Sequence, residues 1–81
     1  MTVKFIMKNP EMILEFVKFS NEFVDYVEVK SGNKIIDGKS IIGLLSIDFP
    51  SVVEVIFHSD NIIALRLFDA YMAKLLEDYG D

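Results

Sequence analysis

Eighty-one residues with 13 acidic and 8 basic side chains carry a formal charge of −5. A chain this short builds one domain, residues 1–81, rather than two. Its 52% hydrophobic content can fill a core, and the absence of cysteine rules out disulfides, zinc-thiolate sites and thiol chemistry together.

Lys and Arg are scattered beneath the negative balance. Nucleic-acid affinity rests on neutralising phosphates, so nucleic acid is not an expected partner, whereas a basic protein partner is permitted. Residues 1–8, interrupted by Lys4 and Lys8, are too short for a signal peptide, and no apolar run approaches membrane-spanning length. The expectation is a cytoplasmic, monomeric protein that does not engage membranes.

Thr2 to Met7 alternates, with Val3, Phe5 and Met7 on one face, and predicts a first strand. Asn9-Pro10 predicts a helix start, Asn9 as cap and Pro10 in the first turn, where its missing N–H costs nothing. The helix is expected to reach about Asn21, with Met12, Ile13, Phe16, Val17 and Ser20 on one face. Val24 to Lys30 alternates as a second strand, Ser31-Gly32-Asn33 predicts a hairpin turn, and Lys34 to Asp37 returns. Ser40 caps a helix of about two turns. Phe49-Pro50-Ser51 interrupts the chain before a fourth strand, Val52 to His58. Ser59-Asp60-Asn61 offers caps for a last helix ending near Tyr79, with Leu65, Phe68, Met72, Leu75, Leu76 and Tyr79 as its apolar stripe and Gly80 at its end. The acidic tail Glu77-Asp78-Gly80-Asp81 is expected to be solvated. The order β-α-β-β-α-β-α predicts an α+β open-faced sandwich, a four-stranded antiparallel sheet with helices on one face.

Little in the chain carries chemistry of its own. His58, the one histidine, ends a strand with no clustered ligands, a poor basis for a catalytic or metal site. Gly38-Lys39-Ser40 ends like a P-loop, but five residues rather than four separate Gly32 from Gly38, and they form a hairpin strand. The phenylalanines at 16, 19, 23, 49, 57 and 68 recur at core spacing. No carboxylate pair, nucleophile–base pair or metal cluster can be assembled, so neither an enzyme nor a cofactor is expected.

Lys39 to Ser46 reads Lys-Ser-Ile-Ile-Gly-Leu-Leu-Ser, and the preceding hairpin runs from Val27 to Asp37 without a gap. The segment resembles the regulatory-serine helix of the HPr family, the small phosphocarriers of the bacterial sugar phosphotransferase system, whose pattern is Lys-Ser-Ile-Met-Gly-Leu/Val-Met-Ser. The element order agrees along nearly the whole chain. The resemblance implies that Ser40 is the serine phosphorylated by an HPr kinase-like enzyme. Lys39 would be a candidate phosphate contact, and Ile41, Ile42 and Leu45 a partner-binding face for phosphotransferase components or a transcriptional regulator. Leu44 is expected inward, Ile42 and Leu45 outward. A helix start satisfies a phosphate through free N–H groups and the dipole, although a plain N-cap would by itself justify a serine.

The family's other hallmark, Gly-x-His-x-Arg-Pro after the first strand, is absent. The corresponding loop is Met7, Lys8, Asn9, Pro10. Either Asn9 or Met7 takes the histidine position, according to whether the helix or the prolines are matched, and the arginine is missing as well. An amide and a thioether are not usable phosphoryl acceptors, and lysine is mostly protonated at its reference pKa of about 10.4. The resemblance therefore implies an HPr-like regulatory or adaptor protein incompetent for histidine phosphotransfer. The alternatives are a carrier with a non-standard acceptor, or a general interaction module of HPr ancestry.

Overall fold

A computed structural model describes residues Met1–Gly80; Asp81 of the acidic tail lies outside the described residues. They form β1 (Thr2–Met7), α1 (Pro10–Ser20), β2 (Tyr26–Ser31), β3 (Lys34–Asp37), α2 (Ile41–Leu45), β4 (Ser51–His58) and α3 (Ile62–Tyr79). The sheet is antiparallel throughout, in the order β1-β4-β2-β3. The expected α+β open-faced sandwich is the observed one.

Period two on the strands sorts side chains by face. Phe5, Met7, Val27, Val29, Ile36, Val53, Val55 and Phe57 are buried. The other face carries Lys4, Lys30 and Glu54, brought abreast by the pairings Lys4↔Glu54 and Lys30↔Glu54. Over the buried face lie α1, through Met12, Ile13, Phe16, Val17 and Phe19, and α3, through Phe68, Met72 and Leu75. Their junction is aromatic. Phe68 stacks on Phe57 with ring centroids 4.2 Å apart and meets Phe19 and Phe23 edge-on at 5.6 and 5.5 Å, geometries that add to area burial. Leu65, Leu76 and Tyr79 of the expected stripe are only partly buried.

Several boundaries differ from the sequence expectation: β4 begins one residue early, at Ser51, which pairs with Met7, α2 has only five residues, and the two ends of β2 shift. Val24 does not begin β2: it stands on a bend, wholly exposed, and pairing starts at Tyr26 opposite His58. Its alternation is real, but no partner strand extends that far. The hairpin turn is Gly32-Asn33 alone, because Ser31 pairs with Lys34. Gly32 adopts φ +58° while Asn33 does not have positive φ, matching the preference of two-residue II′ turns for glycine first. Gly38 answers a different need. Its N–H donates to the Val27 carbonyl at 2.7 Å, and a Cβ there would lie 2.5 Å from Val27 Cγ1, so β3 can leave the sheet this closely only without a side chain.

Ser20 is the buried polar side chain of the core, and its hydroxyl has no hydrogen-bond partner among the described residues. An unsatisfied buried hydroxyl costs about 1–3 kcal/mol. Ser20→Ala removes that cost and leaves the helix a better former. The variant is expected to gain about 1 kcal/mol, read as a higher urea midpoint at unchanged m-value.

Candidate functional site

Asp37 and Gly38 turn the chain out of the sheet into α2. The Ser40 backbone N–H donates to the Asp37 carbonyl at 3.0 Å, and the Lys39 N–H donates to Asp37 Oδ1 at 2.9 Å. Ser40 is extended (φ −100°, ψ 109°), and its Oγ accepts from the Gly43 N–H at 3.0 Å. It is the N-cap its residue type promised, holding one of the free donors of the first turn. Gly43 lets the helix settle on β3, since a Cβ would come within 2.9 Å of Ile36 Cγ2 and 3.1 Å of Ser40 Oγ.

Leu44 points into the core, completely buried, while Ile42 is 86% exposed and Ile41 and Leu45 are each close to half exposed. The expected inward and outward assignments match these positions. In a five-residue helix one hydrophobic anchor suffices, so three large apolar side chains are left facing water.

Lys39 is committed elsewhere. Its ammonium donates to the Phe23 carbonyl beyond the end of α1, and its own carbonyl accepts from Asn21 Nδ2 at 3.3 Å. These bonds tie the Ser40 corner to the C-terminal end of α1 rather than turning the ammonium onto the Ser40 hydroxyl. Spacing along the chain could not show this, because adjacency in sequence says nothing of where a four-carbon stem reaches.

The loop from β1 to α1 lies at the opposite end of α1, about 18 Å from Asn21 by helical rise. Met7 is wholly buried and belongs to the core. The Lys8 N–H donates to Met12 Sδ at 3.5 Å. Asn9 is extended (φ −161°), and its Oδ1 accepts from the Met12 N–H at 2.9 Å, with Pro10 following at the first helical position. The two residues that could align with a phosphoryl acceptor thus hold structural posts, one in the core and one as a cap.

His58 belongs to neither place. Met7 pairs with Ser51 at the start of β4, and His58 is seven residues further on, about 24 Å by strand rise. Its Nε2 lies 2.8 Å from Glu28 Oε1, and its ring stacks on Tyr26 at 5.3 Å. The last helix is capped by Asn61, whose Oδ1 accepts from the N–H groups of Ile63 and Ala64 at 2.9 and 3.1 Å; Asp60 does not serve. Among the described residues no group of histidine, cysteine, aspartate or glutamate could hold a metal ion, and no helix is long and apolar enough to cross a membrane.

Comparison with known proteins gives structural likeness at low identity. No family model and no curated protein matches the sequence. Solved structures do match. HPr-C-His from Thermoanaerobacter tengcongensis superposes with a TM-score of 0.70 at 21% identity, covering 95% of this chain and 96% of that one. The histidine-containing phosphocarrier protein of a Mycoplasma gives 0.69 at 13% identity, over 91% and 93%. The phosphocarrier protein HPr from Bacillus anthracis str. Ames gives 0.60 at 24% identity, over 86% and 95%. The chain has the HPr fold.

Proposed function

We propose that this HPr-fold protein is a regulatory or adaptor component of a bacterial sugar phosphotransferase network, acting in the cytoplasm and without carrying phosphoryl groups on histidine. One observation carries the reading: a nearly fully exposed Ile42, flanked by Ile41 and Leu45, lies two residues after the serine cap of a short helix. Leu44 alone of the helix's large apolar side chains is fully buried. The fold likeness to phosphocarrier proteins supports the network, and the posts held by Met7 and Asn9 support the loss of the carrier step.

On this reading Ile41, Ile42 and Leu45 form the docking face for a kinase, a phosphotransferase component or a transcriptional regulator, and Ser40 is the switch beside it. Phosphorylation moves the γ-phosphoryl of ATP to Ser40 Oγ, releases ADP and passes the hydroxyl proton to a base of the kinase. The product adds nearly two negative charges at the start of α2, where free N–H groups can receive them, so the fold survives. Its effect falls on the docking face, by placing charge beside the apolar contact.

The test is incubation with a bacterial HPr kinase and ATP, followed by peptide mapping. Phosphate on Ser40 is expected, and an Ile42→Asp variant should be phosphorylated about tenfold more slowly because docking would desolvate a charge. Its stability should stay within about 0.5 kcal/mol of the parent, as for other exposed positions. No phosphate on Ser40, or an unchanged rate for Ile42→Asp, would leave the serine as an ordinary cap.

A further inference from the structure

A second set of apolar side chains stands in water away from α2. Val24 on the α1–β2 bend is 100% exposed, and Ile63 and Leu67 in the first turns of α3 are 68% and 51% exposed. All three line one groove of about 460 Å³ between that bend and α3, together with Phe23 and Tyr71. The fold does not require them. The buried residues of α3 are Phe68, Met72 and Leu75, its start is capped by Asn61, and neither Ile63 nor Leu67 is among the side chains packed against the core. The groove shares no residue with the Ile41–Ile42–Leu45 face.

Charge identifies what it takes. Glu22 and Asp25 line the groove, and no lysine or arginine does. The Tyr71 hydroxyl donates to Glu22 Oε1 at 3.1 Å, which fixes that carboxylate at the apolar edge. An anionic lipid surface meets repulsion here. A second copy of this chain would bring another acidic rim and another net charge of −5 to the contact. We infer that the groove docks a short segment of a partner protein in which leucine- or isoleucine-sized side chains are flanked by lysine or arginine. Apolar anchors would fill the space between Val24, Ile63 and Leu67, and the cations would meet Glu22 and Asp25, which speeds encounter and excludes acidic competitors.

The probe is a synthetic amphipathic peptide of leucine and lysine, about two to four helical turns long, titrated into the isotope-labelled full chain and followed by amide chemical shifts. Saturable shifts confined to residues 22–25 and 61–71 are expected, weakening as salt screens the rim. The same peptide with glutamate for lysine should not bind. Leu67→Ser and Asp25→Lys should each weaken binding by about tenfold, and the dispersed spectrum of each variant shows that it is folded. Shifts centred on Ile41, Ile42 and Leu45, equal binding of the glutamate peptide, indifference to both variants, or no binding at millimolar peptide would overturn the inference. So would concentration-dependent shifts at the groove in the protein alone, which would make a second copy its occupant.

Discussion

Phosphoenolpyruvate and a bacterial enzyme I are expected to leave this protein unphosphorylated under conditions that fully charge an authentic HPr. The effect is all or none, and intact-mass spectrometry reads it. Phosphohistidine chemistry needs an imidazole, a good nucleophile near neutral pH, at the mouth of α1. That position is occupied by the buried Met7 thioether and the Asn9 cap. The chain's histidine lies about 24 Å along β4 and is engaged with Glu28. Asn9→His alone should not restore transfer, since the neighbouring arginine is also missing. It should cost about 1 kcal/mol, because the Met12 N–H loses the side chain that accepts from it. An acid-labile phosphate on His58 or Lys8 would refute the expectation.

The largest effect on stability is expected from Phe68→Ala. Phe68 is completely buried, stacked on Phe57 and in edge contact with Phe19 and Phe23. It joins α3 to β4, to Phe19 of α1 and to Phe23 in the connection that follows α1. Truncating such a side chain costs about 3–5 kcal/mol through lost burial and the cavity left behind. A domain of this size has about 4–12 kcal/mol in all, so the variant should lose about a quarter or more of its stability. Urea unfolding followed by circular dichroism measures this. The adjacent Leu67→Ala is the control: one position along the helix faces water instead of the core, and its cost should stay near or below about 0.5 kcal/mol. Comparable losses for the two variants would mean that α3 is rotated relative to the packing described above.

Local rules determined much of this protein. The alternation of Val3, Phe5 and Met7, the three- and four-residue spacing along α1, the Asn9-Pro10 start, the Ser40 cap and the glycine-led hairpin all act within a few residues. Each is therefore legible in the sequence, as was the outward turn of Ile42 and Leu45 once Leu44 took the single core position of a short helix. What the sequence could not supply was decided by contacts between distant segments. The sheet order β1-β4-β2-β3 places the last strand between the first two, and only that insertion stops β2 at Tyr26, stranding Val24 beside Ile63 and Leu67. Lys39 reaches the Phe23 carbonyl rather than Ser40 because α1 ends where α2 begins, a fact of packing with no trace in the spacing of residues. The Ser20 hydroxyl likewise loses its water only when the helix layer closes over the sheet. Propensities and caps depend on hydrogen bonds a few residues away, whereas burial and the reach of a long side chain depend on which surfaces the finished fold brings together.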